Sequence, residues 1–380
     1  MKLVDELPTP CLLIDNARLG KNLARMQQLA SGAKLRPHTK THKMIELARR
    51  QIDLGASGLT VAKSSEAEVF VKAGFDDVRV AYTVVNQDAL QCMARLSRAA
   101  RVSFCVDTIE GARQASAVLS AIGVTLDVLI EIDIGYGRCG VRWDDPNLAI
   151  FARQIDELPG LRLTGILTHE GHAYTPEPDG FRRVMAEARD RMLDVAVHLS
   201  VADLAAPDQF EISMGSTPSM SVFENRTHKG FQITEIRPGN YVFNDMTQVA
   251  LGVAPLSHCA LTVLATVVSR HRHASGTERF FVDAGHKILT SDSAPGRTDY
   301  GCMLYNPKSR VAHPHARLTG LSEEHGWGEV RGGGTFAVGD RVQIVPNHAC
   351  VVVNTQDHAY LVERGEVVYT YSVDARGCVT

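Results

Sequence analysis

Leu35-Arg36-Pro37-His38-Thr39-Lys40-Thr41-His42-Lys43 is a short segment that ends in a lysine crowded by basic neighbours. By itself it reads as a solvated basic loop or as a strand end presenting an amine, and the flanking chain decides between them. After a short opening strand near Pro10–Asp15, Asn16 can cap a helix in which Leu19, Leu23, Met26 and Ala30 recur at helical spacing. The run at 34–40 is then followed by compact apolar runs near 58–62, 77–83, 101–107, 126–134, 162–169, 209–214 and 233–236, eight in all. The stretches between them read as helices. Ser64-Ser65-Glu66 opens one, and Asp179–Ser200 carries Phe181, Val184, Ala188, Met192, Val195 and Leu199 on one stripe. Strands alternating with helices predict parallel pairing and a closed (β/α)8 TIM barrel, with an open doubly wound sheet as the alternative. Barrel enzymes keep their chemistry at the strand ends of one face, and Lys40 stands at the first of these. Crowding by positive charge disfavours its ammonium form and favours an amine able to form a Schiff base.

Past about residue 250 the period changes. Ala260–Val268, Arg279–Ala284, Asp340–Val345, Val351–Val353, Tyr360–Glu363 and Glu366–Tyr371 read as strands punctuated by Gly332-Gly333-Gly334 and Arg364-Gly365, with no intervening helix. This predicts a C-terminal antiparallel β domain that residues 9–15 can join. The expected division is a barrel over 17–245 and a β domain over 1–16 and 246–380.

Composition sets outer bounds. In 380 residues, 44% are hydrophobic, 22% are charged and the formal net charge is -3, so a large core is expected and no nucleic-acid or membrane partner. The cysteines at 11, 92, 105, 139, 259, 302, 350 and 378 form no CxxC pair and fall mostly in apolar segments, the usage of reduced thiols in a cytoplasmic protein. The first residues lack a long apolar stretch, so a soluble, unexported chain is expected.

Polar groups cluster after the expected strands: Lys40, Arg138-Cys139-Gly140, His169-Glu170-Gly171-His172, Gly215-Ser216-Thr217-Pro218 and Arg237-Pro238-Gly239-Asn240. Loops after the last two strands of such a barrel commonly cradle phosphate, and Gly215, Ser216, Thr217, Gly239 and Asn240 suit that role. A phosphate cradle plus a strand-end lysine points to pyridoxal 5'-phosphate. Arg138 is the candidate partner of its ring nitrogen. Since a guanidinium cannot accept a hydrogen bond, that nitrogen would stay unprotonated and the electron sink weak. A barrel-mouth ion pair is the other reading of Arg138. In the β domain, Pro346-Asn347-His348-Ala349-Cys350 places imidazole and thiol two residues apart, on one side of an extended backbone, as zinc would require. The same string also reads as core packing. His258-Cys259 point apart and read as structural, and His271 and His273 as solvated.

Taken together, these motifs resemble the fold-type III pyridoxal-phosphate enzymes of the D-serine dehydratase and D-threonine aldolase family. The matching pieces run from Thr9-Pro10-Cys11-Leu12-Leu13-Ile14-Asp15 through Arg36–Lys40, Gly137–Val141, Gly215–Pro218, Arg237–Tyr241 and Asp283-Ala284-Gly285 to Pro346–Cys350. The resemblance implies an alanine-racemase-like barrel and a homodimer. It makes Lys40 the Schiff-base lysine and Arg138 the ring-nitrogen partner. Gly215, Ser216, Thr217, Gly239 and Asn240 would hold the phosphate, with His38, Tyr174 and Tyr241 in the remainder of the cofactor site. His348 and Cys350 would bind a divalent metal (Zn, or Mn, Co, Ni or Mg). Aldolases of the family tend to carry His-x-Asp at the metal site and dehydratases His-x-Cys, the pattern found here. Asn244 stands where many relatives have tyrosine.

The expected activity is therefore elimination of water from a D-3-hydroxy amino acid, of the D-serine or D-threo-3-hydroxyaspartate type, to a 2-oxo acid and ammonia. Retro-aldol cleavage to glycine and an aldehyde is the alternative on the same scaffold. A racemase would need a second base, for which Tyr305 is a candidate. A non-catalytic pyridoxal-phosphate carrier would have no use for the last 130 or so residues.

Overall fold

The computed structural model describes residues 2–30, 32–175, 177, 179–272, 277–331 and 336–380, and it divides into two compact units. One comprises 26–40, 48–239 and 377–380, and the other 1–25, 41–47 and 240–376. The expected features at His273 and Gly332–Gly334 lie outside the described residues.

The first unit is a barrel of eight parallel strands: β1 (Lys34–Leu35), β2 (Leu59–Val61), β3 (Asp77–Thr83), β4 (Arg101–Val106), β5 (Leu126–Asp133), β6 (Leu161–Leu167), β7 (Glu211–Met214) and β8 (Glu235–Ile236). Neighbours pair in the order β1-β8-β7-β6-β5-β4-β3-β2. A parallel bridge between His38 and Thr60, with Thr60 N donating to Pro37 O at 2.9 Å, joins the two ends. Helices Ser64–Lys72, Gln87–Leu96, Ile109–Ile122, Leu148–Asp156 and Gly180–Val201 follow β2 to β6. The expected stripe on Gly180–Val201 is wholly buried. Strand β1 ends well before Lys40, although Arg36 N and His38 N still donate to Ile236 O and Pro238 O beyond it. The cap of helix Asn16–Leu29 is Asp15, whose Oδ1 accepts from Arg18 N at 2.9 Å, and not Asn16.

The barrel floor is ionic. Arg36 and Arg79 are buried and converge on the buried carboxylate of Glu235, Arg36 through Nε and Arg79 through Nη1 at 2.5 and 2.6 Å. Arg36 also grips Asp77 with both terminal nitrogens at 2.8 Å, and Arg79 reaches Glu211 and Ser103. Every carboxylate here stands at or next to the N-terminal end of its strand. Arg36 thus belongs to the floor and not to a basic cluster around Lys40, as its position in sequence suggested. Burial opposes a charge on Glu235, yet the two guanidinium groups hold its carboxyl well below the usual range.

The second unit is an 11-stranded sheet built around Leu261–Arg272, which pairs with Cys11–Asp15, Glu278–Val282 and Arg341–Val345. Pairing is antiparallel except between Cys11–Asp15 and His358–Glu363. Strands Cys302–Asn306, Val311–Ala312, Ala316–Leu321 and Gly326–Val330 were not legible in the sequence. Residues 351–353, expected as a strand, lie in helix Ala349–Asn354, and a second short helix spans His286–Leu289.

Candidate active site

In the barrel unit, Lys40 lies exposed in the 3-10 turn Thr39–Thr41 just beyond β1. That turn is tied down from inside. Thr39 Oγ1 donates to Glu66 Oε1 at 2.9 Å and lies 3.1 Å from Thr60 O, while the other oxygen of this fully buried carboxylate accepts from Ala62 N at 2.9 Å. His38 bridges the next strand end by donating its N–H to Pro238 O at 3.0 Å.

Arg138 is half exposed, with Nη2 3.3 Å from Glu131 Oε1 on β5 and its guanidinium 5.7 Å from the centre of the Tyr136 ring. Cys139 Sγ shares that carboxylate oxygen at 3.1 Å, and burial together with Glu131 pushes its thiol up to about 11, so it stays protonated. Gly140 must be glycine: its φ is +109°, and a Cβ would meet Asp133 N at 2.7 Å.

Tyr136, beyond β5, stacks at 5.9 Å on His172 and meets His169 edge-on at 6.1 Å, both of which lie beyond β6. Gly171 makes room for that ring, since a Cβ there would lie 2.3 Å from it. His169 is held neutral, its pKa pulled well below 6.5 by burial and by the charges of Lys40, Arg138 and Arg237. Tyr174 follows the 3-10 turn Gly171–Ala173.

Ser216 and Thr217 are buried at the start of helix Thr217–Met220. Two nearby N–H groups are committed inside the protein: Gly215 N donates to Glu170 Oε2 at 3.2 Å and Ser216 N to Ser219 Oγ at 2.9 Å. Burial pushes the Glu170 carboxyl up, against the hydrogen bonds from Ser219 and Gly215 and the charge of Arg237. Arg237 is buried and donates to Ser213 Oγ and Thr168 O. From the sequence Arg237 reads only as part of a turn and Glu66 only as part of a helix start, and Tyr136 does not stand out. The signal for Arg237 was available: a cation one residue past a barrel strand.

In the sheet unit, Asn240 and Tyr241 form a 3-10 turn. The Asn240 side chain faces the thiol rather than standing free as an anion donor, with Nδ2 2.5 Å from Asp245 Oδ2 and 3.8 Å from Cys350 Sγ. His348 and Cys350 do meet, but not by strand alternation: His348 is the N-cap of helix Ala349–Asn354 and Cys350 lies in its first turn. Asp245 organises this corner, its Oδ2 accepting from Ala349 N at 2.8 Å and its Oδ1 from Gln248 N at 3.2 Å. Thr41, the residue after Lys40, is hydrogen-bonded to Cys350 at 3.2 Å between Oγ1 and Sγ. Burial works against charge on both members of the pair, but each stabilises the ion of the other. Cys350 is therefore drawn down, and His348 is held up at about 10 by Cys350, Asp245 and Asp292. Among the described residues no group of three or more His, Cys, Asp or Glu side chains is arranged to enclose a metal.

A family model described as the alanine racemase N-terminal domain matches residues 14–246, and one described as a putative serine dehydratase domain matches 260–362. The chain belongs to the fold-type III pyridoxal-phosphate enzymes of the D-serine dehydratase and D-threonine aldolase family. It is 35% identical to the D-threo-3-hydroxyaspartate dehydratase of Delftia sp. over 90% of this chain and 91% of that one. It is 33% identical to the D-threonine aldolase of Arthrobacter sp. over 97% and 93%. The crystallised Delftia dehydratase matches at a TM-score of 0.88, with 32% identity over 98% of this chain and 99% of its own. A cysteine-to-alanine variant of D-threo-3-hydroxyaspartate dehydratase, in a metal-free form, also matches at 0.88 with 31% identity, again over 98% and 99%.

The family cofactor suits the residues present. An amine, buried hydroxyls and guanidinium groups at strand ends form a donor set for a phosphorylated aldehyde. The imidazole and thiol of His348 and Cys350 are a donor set that suits a borderline metal such as zinc.

Proposed function

We propose that this enzyme is a pyridoxal-phosphate- and divalent-metal-dependent dehydratase, eliminating water from a D-3-hydroxy amino acid of the D-threo-3-hydroxyaspartate or D-serine type. Hydrolysis then yields a 2-oxo acid and ammonia. The observation that carries the reading is the hydrogen bond between Cys350 and Thr41, which ties the thiol of the His-x-Cys pair to the residue directly after Lys40.

When bound, the coenzyme supplies an electron sink for the α-carbon and the metal a Lewis acid for the departing hydroxyl. The protein supplies the rest. Lys40 holds the coenzyme aldehyde at rest, and its freed Nζ takes the α-proton. Ser216 and Thr217 donate to the phosphate, with Gly215, Gly239, Asn240, Tyr241, His38 and Tyr174 shaping the cofactor site. Arg138 faces the ring nitrogen, leans on Glu131 and accepts no proton. His348 and Cys350 hold the metal, which is zinc in this reading.

A homodimer in the cytoplasm completes the proposal. All eight cysteines are free, in keeping with a reducing compartment, and no described helix is long and apolar enough to cross a membrane. The likeness to a D-threonine aldolase keeps retro-aldol cleavage as the second reading. Product analysis separates them on a panel of D-serine, D-threonine and both D-3-hydroxyaspartate diastereomers, with and without added metal. A 2-oxo acid with ammonia supports elimination, whereas glycine with an aldehyde overturns it.

A further inference from the structure

Thr290 adopts φ +61° and ψ 179°, a conformation that β-branched residues rarely take. Such strain persists where the surroundings over-determine the backbone. The segment it opens carries Asp292, whose Oδ2 lies 2.6 Å from His348 Nδ1. The same segment is gripped by the residue next to that histidine. Buried Asn347 donates from Nδ2 to Asp292 O at 3.0 Å and to Asp299 O at 2.7 Å. The Asp299 carboxylate is taken up by Arg297 at 2.8 and 2.6 Å. The carboxylate that reaches the imidazole is that of Asp292.

We infer that Asp292 is a positioning residue for metal binding, fixing the tautomer and ring orientation of His348. To ligate a metal the imidazole must give up a proton and present one N–H and one lone pair, and a carboxylate can only accept. Nδ1 therefore carries the hydrogen and donates to Asp292, so the Nε2 lone pair is the one presented to a metal together with Cys350. Carboxylates that orient a ligating histidine also raise its basicity as a ligand. Asn347 and the strained turn at Thr290 serve this contact by holding the Asp292 backbone in place. The assignment rests on the proposed metal role of His348 and Cys350.

The test is zinc affinity, measured on the coenzyme-loaded protein by competition with a chromophoric chelator. Asp292→Ala is expected to weaken binding ~10- to 100-fold, and Asp292→Asn, which can still accept from Nδ1, by less. The coenzyme absorption should be unchanged in both, and excess zinc should restore turnover. A merely structural role would lower turnover at every zinc concentration. If Asp292→Ala does not fold, Asp292→Asn alone decides. Zinc affinity equal to the parent's in the folded variants, alongside lost binding in His348→Ala, overturns the role of Asp292 and leaves the metal reading standing. Unchanged binding in His348→Ala overturns the metal reading itself.

Discussion

Lys40 and His169 illustrate what single side chains contribute. The amine of Lys40 sits on a turn whose Thr39 is held by a buried glutamate, so side chains other than its own help set its position. Replacing Lys40 by alanine should leave no coenzyme attached to the chain after borohydride reduction and mass spectrometry. Turnover should fall roughly 100- to 10,000-fold, the usual loss for a missing base. An unaffected rate would sink the proposed role of this lysine. His169 makes a subtler prediction. Burial and three positive neighbours hold its pKa well below 6.5, so it is neutral throughout the ordinary working range. His169→Asn should therefore change the height of the pH-rate profile between about pH 6 and 8 and not its shape. Linkage gives the matching stability term. A depressed histidine adds stability that is complete above 6.5 and is lost as pH falls toward the folded-state value.

At the scale of elements, Asp245 joins two short helices. Its side chain caps Met246–Ala250 through Gln248 N and also receives Ala349 N at the start of the helix that carries Cys350. Each lost cap costs about 1 kcal/mol, so Asp245→Ala should destabilise the protein by about 2 kcal/mol. Because the second cap orders the His348–Cys350 turn, zinc binding should weaken in the same variant. Denaturant unfolding and chelator competition check the two halves, and a stability loss with unchanged zinc affinity would separate the cap from the metal site. This corner also explains a misreading. Val351-Val352-Val353 is a β-branched run that reads as a strand in isolation. Capping by a residue more than 100 positions away tips it into a helix. The expected convergence of His348 and Cys350 survives the change because an N-cap and the first-turn residue two positions later also lie close together.

The ionic floor is a property of the whole barrel. Glu235 lies 199 residues from Arg36 and 156 from Arg79, and closure alone brings them together. Glu235→Gln would leave two buried guanidinium groups undercompensated and should cost about 3–5 kcal/mol, read as a lower urea midpoint. Its lowered pKa fixes the sign of the acid response. The contribution is complete above the ordinary 4.5 and is lost as pH falls toward the folded-state value. Acid unfolding of the parent should steepen below about pH 4.5, and the variant should lack that component. The alternation of strands and helices was legible because the two periods are local properties of the backbone. So was the series of polar groups after the strands, since chain direction alone places them at one end of a parallel barrel. Short strands such as Val311–Ala312 escaped notice because so few residues carry no period. Local periodicity alone carried the alternation of the barrel elements, and chain direction the chemical types gathered at their ends. Tertiary structure alone decided that Arg36 serves the floor, that Asn240 faces a thiol and that Asp292 meets His348. Desolvation and Coulomb energy depend on separations that folding sets and that spacing along the chain does not encode.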